Sequence, residues 1–434
     1  SGAAAAATVT TLTGTTITAA TAFVPDASDG AALGTTALEF SDLFLADGAV
    51  INLGDDQDVT ITHVADTGIA LNSKDIAGVA SINKGQIGGR RNIVYNGEMK
   101  VAQRGASATG LGAASGYFTL DRWNMYAAAT AGRFTMAQVA DGPPGFANSM
   151  KFSTTTADTS IAAGEFLVLA QNIEGQDVQQ LKKGTASAEQ VTISFWVKGN
   201  ATALYVCELQ DIDNSRLNTQ SFAVTTSWNR IELTFAADTT GALDDDNAAS
   251  LGVNFWLHAG SDRTSGTFAS NTWAARTDAN RAAVSGFTSI FDATSRTFFI
   301  TGVQMEIGAT ATEFESRTFG EELALCQRYF QKSFPIGTAP VQNSGVSSVT
   351  WTQIQTGYGM KVPQALIVTM RAGPTITGFN PNAANALARG PTTDLTTTGV
   401  GDQSTYGFNI TSYGGDDDAT GSPTRWNWTA SSEL

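Results

Sequence analysis

Cysteine, histidine and charge are all scarce in this chain, and each scarcity rules something out. Two cysteines among 434 residues, Cys207 and Cys326, cannot build a disulfide scaffold. Both are expected as buried thiols, the usual habit of free cysteine. The only histidines, His63 and His258, stand far apart in the chain. Sequence neighbours therefore supply no Ser-His-Asp, Cys-His or His-metal cluster. Charged residues make up 15% of the chain, and 40 acids against 25 bases give a net charge of −15. A surface of that sign repels nucleic acid and anionic membranes, so neither is an expected partner. No apolar run reaches the roughly 18 residues that a membrane span requires. The opening SGAAAAATVT has neither the basic flank nor the apolar core of a secretory signal, so synthesis in a cytoplasm with release by lysis is the expectation.

What the chain does have is Gly, Thr, Ser and Ala, in short alternating runs punctuated by turn residues. That profile predicts an all-β protein, and the length suits two or three domains. Residues 1–35 are low in complexity, with beats such as TVTTLTGTTIT, and bury little by themselves. Residues 36–90 carry short β-runs at Leu43–Leu45, Val50–Leu53, Val59–His63 and Ile69–Leu71, parted by turns such as Asp47-Gly48. Strands so short are poor folding units in one chain, and three intertwined chains would supply the missing core. We therefore expect a homotrimeric β-shaft there, closed by the Gly-rich linker SINKGQIGGRR. Eight strands are expected between Phe134 and Glu306, the spacing of a two-sheet sandwich. Residues 334–434 read as a smaller β-domain, with strands near Ser347–Gln355, Ala365–Arg371 and Thr405–Thr411.

The run from Phe298 to Phe330 joins two unlike pieces. Phe298–Ile307 has apolar residues on both parities and predicts a buried strand. Phe319–Phe330 has a helical period, with Leu323, Cys326 and Phe330 on one stripe behind the acidic first turn Glu321-Glu322. This strand-turn-helix, TGVQMEIGATATEFESRTFGEELALCQRYF, resembles the closing signature of a module common in phage tail fibres and other virion appendages. RRNIVYNGEMKVAQRG, LDRW at Leu120–Trp123 and ISFWVKG at Ile193–Gly199 resemble the same family and stand in its order. The resemblance covers about half the chain. It implies a carbohydrate-binding jelly-roll at 91–317, a connecting helix at 318–333, and a trimeric fibre. It further implies a location on the virion, contacts with other virion proteins through the N-terminal region, and recognition of a host-surface glycan. A head, collar or decoration fibre that binds only virion proteins stays open, as does a fibre-borne polysaccharide depolymerase.

Candidate chemistry centres on aromatics. Sugar faces stack on Trp and Tyr, with polar groups beside them for the hydroxyls. In ISFWVKG, Trp196 shares a parity with Ser194 and Lys198; in LGVNFWLH, Trp256 shares one with Asn254 and His258. Each pattern suits either an open sheet face or a second core face under loops or a partner chain. Trp273 lies in the polar loop FASNTWAARTD beside Arg263 and Arg276, a pattern of exposed recognition. The expected glycan contacts are thus Trp273, Trp256, Arg276, Arg263, Trp196 and Asn254, whereas Trp123 and Trp228 are expected in the core. Catalytic residues and cofactors are not expected. Glu165 is the most suggestive acid, with solvation at a strand edge as its bland reading. Acidic runs at Asp55–Asp58, Asp211–Asn214, Asp244–Asn247 and Asp416–Asp418 could feed a structural Ca²⁺, although none has EF-hand spacing.

Overall fold

The computed structural model describes residues 37, 41–53, 59–64, 68–71, 81–82, 85–86, 90–346, 349–352, 359–413, 421 and 423–434. Residues 1–35 and the acidic runs Asp55–Asp58 and Asp416–Asp418 lie outside them. Two compact units emerge, Ser1–Val79 and Ala80–Leu434. In the first, β1 (Val50–Leu53), β2 (Val59–Val64) and β3 (Gly68–Leu71) form an antiparallel sheet with β2 in the middle. Leu43–Leu45, expected as a strand, joins no ladder among the described residues. Leu43, Phe44, Leu45, Val50, Ile51 and Leu53 are all exposed, Phe44 by 93%.

The second unit opens with a short hairpin, β4 (Ser81–Ile82) and β5 (Gly85–Gln86). Twelve strands follow: β6 (Ser107–Leu111), β7 (Asn124–Ala128), β8 (Arg133–Val139), β9 (Ser149–Thr156), β10 (Phe166–Glu174) and β11 (Val191–Gly199). The rest are β12 (Ala203–Asp211), β13 (Arg216–Val224), β14 (Asn229–Phe235), β15 (Ala249–Ala259), β16 (Ala274–Ala275) and β17 (Thr297–Ile307). They make two six-stranded antiparallel sheets, ordered β16-β13-β12-β15-β10-β7 and β14-β11-β17-β9-β8-β6. This is an all-β sandwich of jelly-roll type. Its core interleaves Leu167, Leu169, Val253, Phe255 and Leu257 from the first sheet with Ile193, Phe195, Ile300, Val303 and Met305 from the second. Phe195 meets Phe255 edge to face, with ring centroids 5.0 Å apart. All eight expected strands are present. Four others, β6, β7, β13 and β16, were not anticipated.

β17 explains its own sequence. Phe298 and Ile300 face the core; a bulge then shifts the register against β11, and Val303 and Met305 take over the inward positions. Gly302 sits at the shift with φ +61°, in the left-handed region that glycine adopts freely. Apolar residues on both parities thus record a change of parity. Beyond the bulge, Gln304 and Glu306 face outward yet are buried, because the chain returning through Thr312–Glu315 bonds to both.

α1 (Ser261–Thr264) is a single turn, and α2 (Phe319–Gln327) is the connecting helix. Thr318 caps α2, accepting from the Glu321 amide while the Glu321 carboxylate accepts from the Thr318 amide. The helix ends before Phe330, which lies instead in β18 (Phe330–Lys332) because its backbone pairs with β24 (Pro423–Ser431). Its buried positions are Glu322 and Cys326, whereas Leu323 is half-buried. Both cysteines are free and buried. The remaining strands are β19 (Val349–Thr352), β20 (Gly359–Ala365), β21 (Thr375–Phe379), β22 (Thr397–Ser404) and β23 (Gly407–Tyr413). β18, β19 and β21 pair with β24, and β20-β23-β22 form a separate sheet. The strand expected over Ala365–Arg371 stops at Ala365, since the Gln331 side chain takes the Ile367 amide and the Val368 carbonyl out of any ladder.

The motif residues close a buried polar hub. Asn96 donates to the Val101 carbonyl and accepts from the Val101 amide, while the Trp123 indole donates to the Asn96 carbonyl. Glu433, next to last in the chain, takes Arg104 and Arg122, and Arg122 lies 3.5 Å above the Tyr329 ring. Arg328 and Tyr329 both donate to Glu174 of β10. Sandwich, helix and last strand are thereby fixed by charge-assisted bonds in a buried setting.

Candidate functional site: two sheet faces

Each sheet has an inner face in the core and an outer face, and the two outer faces differ. On the first sheet, β15 presents Asn254 and Trp256 outward, flanked by Val168 and Ala170 of β10 and Val206 and Glu208 of β12. The segment after β15 folds back across this face. It adds Ala282, with Phe268, Val284 and Phe287 packed alongside, and makes a second small core. Trp256 is 2% exposed; Phe166 packs against it at 6.1 Å and the Arg281 guanidinium lies 4.7 Å over its ring. Arg281 forks onto Glu208, with Nε donating at 2.9 Å, and also reaches Gln210. Asn254 donates to Glu208 at 2.8 Å. Among the described residues the indole Nε1–H of Trp256 meets no acceptor. This face matches the second-core reading of the alternating pattern.

The outer face of the second sheet carries aromatic and cationic side chains in rows. Lys198 of β11 stands opposite Phe299 of β17, which stands opposite Lys151 of β9. Trp228, just before β14, meets Phe299 edge-on at 6.1 Å and 74°. The Lys198 ammonium lies 5.0 Å from the Trp228 ring and 4.8 Å from the Phe299 ring. Asp141 accepts Lys198 through both oxygens at 2.8 Å, and the Trp228 indole donates to one of them at 3.4 Å. Two residues along β11, Trp196 stands opposite Arg230 and rests over Gly302. A Cβ at Gly302 would lie 2.7 Å from Phe146 and 3.0 Å from Trp196, so glycine is what lets both rings settle on the strand. Trp196, Trp228, Phe299, Lys198 and Lys151 are all half-buried. Trp228 was expected in the core and is instead the centre of this surface. Its cue was available in the sequence, since Trp228 shares the parity of Arg230 and Glu232, whereas Ile231, Leu233 and Phe235 face inward.

The three loop residues expected to act together do not meet. Trp273 is half-buried at the rim of the sandwich, its indole donating to the Ala236 carbonyl at 2.7 Å, with Lys183 5.1 Å from the ring. Arg263 and Arg276 instead converge on Asp278, at 3.5 and 2.9 Å. These contacts hold the cover together.

The described acidic turns are engaged internally. Asp211 is buried against Lys183 and accepts from Asn214; Asp213 accepts from the Asp244 amide at 3.0 Å; Asp246 accepts from the Ala248 amide at 2.8 Å. Glu165, by contrast, is buried rather than solvated. With Asp158 and His258 it forms a cluster whose ligand atoms lie within 4.8 Å of one another. Asp158 and Glu165 share one loop, but His258 comes from a strand far along the chain, which is why neighbour spacing gave no sign of the cluster. Ser289 Oγ lies 2.7 Å from His258 Nδ1, and His258 Nε2 lies 3.3 Å from Glu165. The Ser-His-Glu order is reminiscent of a hydrolase triad, yet His258 is wholly buried and Ser289 only 8% exposed.

No protein-family model matches the chain, and no curated protein matches it. Among solved structures, the sandwich is similar to a CBM4 module, with 13% identity over 42% of this chain and 86% of that one, at a TM-score of 0.23. It is similar to the family 11 carbohydrate-binding module of the Clostridium thermocellum cellulase Lic26A-Cel5E, with 17% identity over 46% and 99%, at a TM-score of 0.24. It is also similar to the enzymatically active domain of tailspike protein 4 of bacteriophage CBA120, with 12% identity over 50% of this chain and 21% of that one, at a TM-score of 0.26.

Proposed function

We propose that this protein is a non-catalytic fibre of a tailed phage, a homotrimer that binds a host-surface glycan on the outer face of its second sheet. The observation that carries this reading is the half-buried row Trp228–Phe299–Lys198, with Trp196 one row away. Ring surface for a sugar face and charged groups for its hydroxyls lie side by side there on a rigid ladder. The indole of Trp228 is already oriented by Asp141, so little rotamer freedom is lost on binding. The first sheet's outer face is closed, which supports assigning recognition to the second. The burial of Ser289, His258 and Glu165 supports binding without cleavage. Trimerisation draws on the first unit, whose six exposed apolar side chains belong to none of the three core clusters. Two further copies of the same strands are the occupants we assign to them, and attachment to other virion proteins goes through the same end of the chain.

The test is a glycan array probed with the full-length protein and with Trp228→Ala. Binding by the first and its loss in the second is the expected result. An intact protein that binds no glycan would hand the chain to the structural-fibre reading, and release of reducing ends from a bound polysaccharide would make it a depolymerase. Sedimentation of a stable monomer at micromolar concentration would remove the trimer.

A further inference from the structure

Most buried carboxylates among the described residues are paired with a cation. Glu98, Asp121, Glu174, Glu208, Asp211, Asp238 and Glu322 each have a Lys or Arg within ion-pair distance. Glu306 has none but is satisfied by Gln304 and Thr312. Asp158 and Glu165 are both about 5% exposed and stand together, and among the described residues neither forms an ion pair with Lys or Arg. Burying two carboxyl groups side by side without a cation is costly. The one basic group beside them is His258, whose Nε2 lies 3.3 Å from a Glu165 carboxylate oxygen. Asp158 accepts hydrogen bonds from Thr130 and the Ala131 amide.

We propose that Asp158, Glu165 and His258 bind a divalent d-block cation, Zn²⁺ or Mn²⁺, as a structural clamp. The donor set is two carboxylate oxygens and one imidazole nitrogen. Nitrogen in the set selects against Ca²⁺ and Mg²⁺, which take oxygen ligands. His258 Nε2 faces a Glu165 carboxylate oxygen at 3.3 Å, so the imidazole nitrogen and the carboxylate point at one another and can share a cation. In the tautomer that does so, Nδ1–H donates to Ser289 Oγ at 2.7 Å, the outer-shell partner that a metal-bound histidine needs. The ion would tie the loop between β9 and β10, through Asp158 and Glu165, to the end of β15. The cover begins there: the Gly260 amide donates to the Glu165 carbonyl at 2.8 Å, and the Asp262 amide to the Ala163 carbonyl at 3.0 Å. Metal binding and closure of the first sheet's outer face would thus be linked.

The experiment uses the full-length protein, stripped with chelator and titrated calorimetrically with Zn²⁺, Mn²⁺ and Ca²⁺, with thermal melting in parallel. One Zn²⁺ or Mn²⁺ per chain, a raised melting temperature and no response to Ca²⁺ are expected. Glu165→Gln should abolish binding, and Ser289→Ala, which keeps all three ligands, should weaken it about tenfold. If Glu165→Gln fails to fold, Asp158→Asn and the Ser289→Ala affinity carry the test. A stripped, folded wild-type protein that takes up no metal would overturn the proposal. So would binding of equal affinity in wild type and Ser289→Ala, since a surface ion would be indifferent to Ser289.

Discussion

The two outer faces show how the same alternating pattern ends in opposite roles. Trp256 and Trp196 both lie on central strands, on the parity shared with polar residues. Trp256 is capped by Arg281, Phe166 and a long return segment, and so belongs to a small second core. Trp196 and Trp228 keep part of their ring surface in solvent and belong to a platform. What separates them is the connection that follows each strand. The chain after β15 doubles back over its own sheet, whereas β11 runs straight into the turn leading to β12. An aromatic on a sheet thus becomes structural or available according to what covers it, and its own strand is silent on the matter.

The sharpest way to break the comparison is to shorten one tryptophan on each face. Trp256→Ala should cost about 3–5 kcal/mol, the range for removing a buried aromatic, and be seen as a large drop in the denaturant midpoint. Trp228→Ala should cost under about 1 kcal/mol of stability, since the ring is half-exposed, while glycan affinity falls by on the order of 1 kcal/mol. Equal stability losses would mean the second face is also closed in solution.

Next in size is Arg281→Ala, which leaves Glu208 wholly buried and without its fork; a loss of about 3 kcal/mol is expected. Replacing Arg281 and Glu208 together by Met and Leu should recover much of that loss. A double variant as unstable as the single would show that the pair is not what holds the cover down.

A smaller effect belongs to the open face. Gly302→Ala forces a side chain into the left-handed region and against Phe146 and Trp196. About 1–2 kcal/mol of stability should go, with glycan affinity falling as Trp196 is displaced. Unchanged affinity would confine the site to Trp228 and Phe299.

The smallest effect should leave both faces alone. Burial pushes the Asp121 carboxyl up to about 6, in spite of Arg104 and Gln103. Its folded pKa lies above its unfolded one, so the stability it contributes is complete below about pH 4 and is lost as pH rises through about 6. Asp121→Asn should flatten that limb of a melting-temperature profile. A profile unchanged by Asp121→Asn would assign the limb to another group.

By itself the sequence determined the all-β class, the eight strands with strong alternation, and the start of α2, because those rest on local periodicity and on the acidic first turn Glu321-Glu322. It missed β6, β7, β13 and β16, whose residues are held as strands by neighbours already in place. It also assigned Trp228 to the core and set Trp273 among arginines. Both depend on which segment lies over which, and sequence spacing does not carry that. Only the tertiary structure decided the fate of Trp256, the shift of parity at Gly302 and the meeting of Asp158, Glu165 and His258. Each is a relation between residues far apart in the chain, fixed when two sheets close on one core.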